Sequence, residues 1–182
     1  MFTLNKNKLI DIKRFNQPGS ADFPSVCFKN QEYRHAIEET SEYCKNVLSV
    51  MLMSCSNLKR YQYVDIKVHD LKDGQQTANG LWHLDSSLNP VKEYENFLFV
   101  SGNLALTEFV NNELSIPLQE DSKSFSRFIN TKKLDIIRIK TCTITKYDGT
   151  NVHRGPKSTG KEKRLLIRLI NTDNRLPSYY IK

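Results

Sequence analysis

The stretch Tyr61-Gln62-Tyr63-Val64-Asp65-Ile66-Lys67-Val68 changes character from one residue to the next, the period of two that an extended strand with two unlike faces requires. Downstream, Lys72-Asp73-Gly74 reads as a hairpin turn, and Thr77 to Leu84 is expected to return beside the first strand. Further strands are expected at Tyr94–Val100, Leu104–Val110, Leu134–Ile139, Thr141–Lys146 and Lys163–Ile170. Asp148-Gly149 is a second turn signal, after which Asn151–Arg154 opens another strand. Asn111 to Asn130 reads as a loop with a short helix near Phe125.

Upstream the texture differs. Residues 1–15 read as an opening strand or irregular arm, and Asn16 to Asp22 as a loop rich in Pro, Gly, Ser and Asp. From Tyr33 to Cys55, Ile37, Cys44, Leu48 and Met51 recur at helical steps, which predicts one helix lying on a sheet. The fold class is therefore mainly β with an N-terminal helix, an α+β arrangement on a sandwich or barrel-like core. One domain is expected: an arm and supporting helix over 1–60, a β core over 61–170 and a C-terminal tail over 171–182.

Composition narrows the classes of function. Nine Phe, eight Tyr and one Trp supply bulk for a core despite an apolar fraction of 38%. The longest apolar run, Val47 to Met53, is interrupted by Ser49, so no membrane span is expected. The opening Met1-Phe2-Thr3-Leu4-Asn5-Lys6 lacks the apolar stretch of a signal peptide, and a cytoplasmic location is the expectation. Cys27, Cys44, Cys55 and Cys142 form no Cys-x-x-Cys pair, which argues against a disulfide framework or a thiolate zinc site. A formal charge of +7 makes nucleic acid a candidate partner.

The residues that carry chemistry stand in three places. His83 and Asp85, in Trp82-His83-Leu84-Asp85, leave the same face of an extended segment, with Trp82 directed the other way into the core. His153 follows a tight turn, and behind it Arg164, Leu166 and Arg168 share a strand face. Two imidazoles and one carboxylate are the set that binds Fe(II) on one face and leaves the other positions open.

This order of His-x-Asp, distant His and trailing Arg resembles that of the Fe(II)- and 2-oxoglutarate-dependent dioxygenases, over roughly residues 80 to 170. The resemblance implies a double-stranded β-helix (jelly-roll, cupin-like) core and iron held by His83, Asp85 and His153. It also implies 2-oxoglutarate anchored by Arg164, with Arg168 as the second choice and Thr107 beside the cosubstrate. O₂ would be the co-reactant and an unidentified primary substrate would be oxidised, with a slight lean towards nucleic acid. Ser86–Asn96 and Asn111–Asn130 are the expected substrate-facing loops. The rival reading is a basic nucleic-acid-binding or interaction protein on a degenerate fold of this kind, without catalysis.

Other motifs are weaker. Gly155 to Lys161 satisfies G-x-x-x-x-G-K, but Glu162 replaces the hydroxyl that would ligate magnesium, and the sequence beyond reads as a strand. His69 stands directly beside Asp70, so on a strand the two side chains point to opposite faces. His35, among charged helical residues, is expected at the surface.

Overall fold

The computed structural model describes residues 2–4, 9–77, 79–85, 91–117, 121–177 and 179–181. Among these the strands are β1 (Phe2–Leu4), β2 (Ile10–Arg14), β3 (Cys27–Glu32), β4 (Tyr61–Leu71), β5 (Val91–Val100) and β6 (Glu108–Val110). They continue with β7 (Leu114–Ile116), β8 (Ile136–Arg138), β9 (Thr143–Gly149), β10 (His153–Arg154), β11 (Glu162–Thr172) and β12 (Tyr179–Ile181). The helices are α1 (Tyr33–Glu39), α2 (Glu42–Met53) and α3 (Ser122–Asn130). A large antiparallel sheet runs β12-β3-β4-β11-β5-β9-β2, a small one runs β10-β6-β8, and β1 pairs with β7.

Strand β11 shows why the layers form. Leu165, Ile167 and Leu169 are fully buried on one face, against Cys44, Val47, Leu48 and Met51 of α2 and against Val64, Ile66, Phe97 and Phe99 of the flanking strands. Arg164, Leu166 and Arg168 take the other face, opposite His69, Lys67 and Asp65 of β4. That face meets the small sheet, where Leu98, Val100 and Tyr147 join Phe109 and Ile139 in a second apolar cluster. Helices α1 and α2 thus cover one side of the large sheet and leave the other to polar residues and the small sheet, while α3 packs through Phe125 and Ile129 on Trp82, Val110 and Ile116.

The expected single helix over 33–55 is two. Thr40 is extended, and the Ser41 hydroxyl oxygen caps α2 by accepting from the Cys44 N–H at 3.3 Å while donating to the Asp22 carbonyl at 2.6 Å. A serine that satisfies free N–H groups favours a helix start over a helix interior, so the apolar periodicity continues through a break in the backbone. The short helix expected near Phe125 is α3, capped by Asp121.

Both expected hairpins fail for one reason. A turn does form at Lys72–Gln75, with Gly74 at φ +71°, but β4 already has β3 on one edge and β11 on the other. Among the described residues, the segment that follows therefore meets the 153–157 stretch instead, through isolated bridges at Gln76–Lys157 and His83–His153 and backbone hydrogen bonds at Thr77–Pro156 and Asn79–Gly155. Likewise β9 is flanked by β5 and β2, so β10 pairs with β6 across the cavity. The expected strand at 104–110 shortens to Glu108–Val110 and that at 134–139 to Ile136–Arg138. The expected tail over 171–182 contains the end of β11 and all of β12, which pairs with the unforeseen β3. Of the two expected loops, 86–90 and 118–120 lie outside the described residues, while Val91 onward is strand.

Phe99 is fully buried and meets the Phe15 and Tyr43 rings edge-on at 6.0 Å each. Phe99→Ala is expected to lower the unfolding free energy by about 3–5 kcal/mol, read from urea denaturation midpoints. A loss within error would mean that the helix layer contributes little.

Candidate metal centre

His83 and His153 are joined by reciprocal backbone hydrogen bonds, each N–H donating to the other's carbonyl at 3.0 Å. In such an antiparallel pair the two side chains leave the same face. Their ring centroids lie 4.3 Å apart. The partner of each imidazole fixes which nitrogen is available. His83 Nδ1 lies 2.7 Å from the Leu81 carbonyl and His153 Nδ1 lies 2.9 Å from the Asn151 carbonyl. A carbonyl can only accept, so both Nδ1 atoms carry a proton, and Nε2 is the nitrogen that each ring, when neutral, offers to a metal. A neutral imidazole with its far N–H held by a carbonyl is the usual state of a metal-binding histidine.

Asp85 completes the set. One ligand atom from each of His83, Asp85 and His153 lies within 4.8 Å of the others, and His153 Nε2 is 3.6 Å from Asp85 Oδ1. The three residue types fit a divalent first-row metal with open positions. Phe109 stacks on His153 at 5.2 Å and Tyr147 meets it edge-on at 5.5 Å, so apolar rings back the imidazole. Burial, then the neighbouring His153, lowers the His83 pKa to about 4, which keeps the ring neutral at physiological pH.

Asp85 follows an isolated bridge, outside any ladder, and side chains hold it in place. The Tyr147 hydroxyl donates to Oδ2 at 2.6 Å, and Arg168 Nη1 donates to Oδ1. Arg168 is in turn fixed by Asp65, through Nε at 3.1 Å and Nη2 at 2.6 Å. Burial pushes the Asp85 carboxyl up, but Arg168, the two imidazoles and Tyr147 outweigh it and hold the group well below the usual carboxylate range. Burial, then the Asp85 charge, pushes the Tyr147 phenol well up, so it stays a proton donor.

Arg164 is the opposite case. It is 1% exposed and has no carboxylate within ion-pair distance among the described residues. Its Nη2 reaches Thr107 Oγ1 at 3.4 Å, its Nη1 lies 3.5 Å from His69 Nδ1, and its Nε has no hydrogen-bond partner. Burial lowers its pKa to about 10, so it remains charged. A buried guanidinium with an unused N–H is a seat for an anion.

The triad and this cation line one cavity of about 220 Å³, together with Thr107, Tyr147, Arg168, Leu98 and Leu166. The sequence-derived residues His83, Asp85, His153, Arg164, Thr107 and Arg168 are therefore gathered in one place. Arg168 is committed to two carboxylates, which leaves Arg164 as the guanidinium available to a ligand. Trp82 faces away as expected, buried with its indole N–H on Asn130 Oδ1 at 3.0 Å. The Gly155–Lys161 motif leads into β11, a strand, and carries no phosphate loop. Gly155 is required where it stands, since a Cβ there would lie 2.2 Å from Thr77 Oγ1.

Sequence reasoning missed Asp65, Lys67, the cavity position of His69 (weighed there only as a metal ligand) and Tyr147. The first three had a signal: they are every second residue of β4, a run of polar side chains on one face of a central strand. Tyr147 had none, since a tyrosine on an alternating strand reads as core. The chain matches no protein-family model, no curated protein and no solved structure. No helix among the described residues is long and apolar enough to cross a membrane.

Two outcomes are expected. Because Arg164 is buried with no ion-pair partner among the described residues, Arg164→Met should leave the ligand-free protein equally stable or stabilise it, by up to about 4 kcal/mol in thermal or urea unfolding. A large destabilisation would show that the charge is already compensated. Burial, then Arg164 and Lys67, lowers the His69 pKa to about 4. The unfolded value is roughly 6.5, so protons bind the unfolded chain first, and stability falls as pH drops from about 6.5 to 4. His69→Gln should flatten that limb in urea midpoints taken across the range, and an unchanged limb would remove His69 from the account.

Proposed function

We propose that this protein is an Fe(II)- and 2-oxoglutarate-dependent dioxygenase on a double-stranded β-helix core. One observation carries the reading: a His-His-carboxylate set and a buried arginine with no ion-pair partner among the described residues line the same cavity. Either part alone has ordinary explanations. Together they are what a dicarboxylate bound beside a metal needs, one donor set for the metal and one fork for the far carboxylate. The large antiparallel sheet with the small sheet across the cavity supports the jelly-roll reading.

His83 Nε2, His153 Nε2 and an Asp85 oxygen would hold the iron. Bound there, iron supplies O₂ activation, so that 2-oxoglutarate, O₂ and a substrate C–H bond become succinate, CO₂ and a C–OH group. The protein's own residues do the rest. Arg164 pairs with the far carboxylate of 2-oxoglutarate, Thr107 offers a hydroxyl beside it, and His69 accepts from the guanidinium and fixes its plane. Leu98 and Leu166 line the wall and exclude water, which strengthens every charge interaction inside. Tyr147 and Arg168 keep Asp85 ionised and oriented, so the ligand need not lose a proton when metal binds.

Anaerobic addition of Fe(II) and 2-oxoglutarate is expected to give a weak visible charge-transfer band. His83→Ala, Asp85→Ala and His153→Ala should each abolish it, and succinate formation with it, while circular dichroism stays unchanged. Arg164→Gln should raise the 2-oxoglutarate requirement at least roughly tenfold, the size of one lost charge-assisted pair. Normal succinate yield from any of the three alanine variants would sink the assignment.

A further inference from the structure

A second cavity, of about 190 Å³, adjoins the first at the Asp85–Arg168 pair. It shares Lys29, Asp85 and Arg168 with the first cavity, and its remaining walls include Tyr94, Ile170 and Leu176. Tyr94 and Ile170 are buried in an apolar cluster against which Leu176 packs. The segment bearing Leu176 is tied down: its N–H donates to the Tyr63 hydroxyl at 3.1 Å, and Asn30 Nδ2 donates to the Pro177 carbonyl at 3.1 Å. The cavity is thus a formed pocket with an apolar wall on one side and a metal-ligand carboxylate on the other.

Charge says what fits it. Among the described residues, the charged side chains lining the two cavities are Lys29, Lys67, Arg164 and Arg168 against Asp65 and Asp85, an excess of two positive charges. Under the proposed function, iron adds two charges and 2-oxoglutarate removes two, so the excess remains once both are bound. In a partly enclosed site such a field attracts anions and repels cations. Lys29, at the exposed rim of both cavities, is where an entering anionic group would meet it.

We infer that this second cavity is the primary-substrate subsite, and that it takes an organic anion: a carboxylate or phosphate at Lys29, with an aromatic or aliphatic body against Tyr94, Ile170 and Leu176. The inference rests on the dioxygenase reading for its neighbour, the 2-oxoglutarate seat at Arg164. It excludes cationic substrates such as amine or methylammonium side chains.

The test is calorimetric and needs no turnover. The full chain is saturated with Mn(II), an oxygen-stable stand-in for iron, and with 2-oxoglutarate, then titrated with phenylacetate, phenyl phosphate and phenethylamine, three probes of like body and different charge. At least one anion is expected to bind roughly tenfold or more tightly than the amine; which of the two does so separates a carboxylate from a phosphate substrate. Lys29→Glu, a change at an exposed position, should reverse the preference, and Leu176→Trp should abolish binding by filling the pocket. Leu176 lines the second cavity and not the first, so Leu176→Trp should keep the wild-type affinity for 2-oxoglutarate. Tighter binding of phenethylamine, indifference to both variants, or anion binding that vanishes once 2-oxoglutarate is present would overturn the inference. If 2-oxoglutarate itself fails to bind the wild-type protein, the dioxygenase reading falls instead; charge selectivity at the second cavity is still read by the same titrations.

Discussion

The pair of backbone hydrogen bonds between His83 and His153 is the constraint on which the rest of the site depends. Neither residue reaches its partner through a hairpin, and the segment carrying His83 joins no ladder of the large sheet. Those two bonds, continued by the ones from Gly155 to Asn79 and from Thr77 to Pro156, bring distant parts of the chain into register and set both imidazoles on one side. Each ring then repeats one local device, an Nδ1–H held by the carbonyl two residues earlier. The bridge positions the rings and the carbonyls choose their tautomer. Asp85, two residues past the bridge, needs only side-chain partners to finish the set.

The two arginines of β11 show how one strand can carry opposite electrostatic situations. Arg168 lies between Asp65 and Asp85, and its burial is offset by charge-assisted hydrogen bonds on both sides. Arg164, four residues earlier on the same face, is more deeply buried, and its hydrogen-bond partners among the described residues are a threonine hydroxyl and a neutral imidazole. Burying a cation on such terms costs several kcal/mol, which the cohesive sheet around it must offset. Sites that bind charged ligands commonly hold this kind of stored cost, released when the counter-charge arrives.

How much of this was legible in the sequence follows from which signals are local. The alternation of β4 and β11 is local, and both strands stand where the pattern put them. The grouping of His83, Asp85 and His153 was legible because residue type and order already restrict the chemistry. Edge occupancy is not local: nothing near Lys72-Asp73-Gly74 says that both edges of β4 are taken, so a sound turn signal led to a wrong hairpin. The Thr40–Ser41 break was hidden because Ile37, Cys44, Leu48 and Met51 keep their spacing across it. Choosing between Arg164 and Arg168 required knowing that Asp65 sits opposite the second, a cross-strand fact no single stretch contains.

Strand β11 carries core and site on alternate residues, Leu165, Ile167 and Leu169 towards the helices and Arg164, Leu166 and Arg168 towards the cavity. A slip by one residue would exchange the two sets, driving both guanidiniums into the helix-side core. Misassembly of the site is therefore also misassembly of the core, and the hydrophobic effect proofreads the chemistry. A chain that has closed its helix layer correctly has already aimed its arginines, before any ligand is present to reward the arrangement.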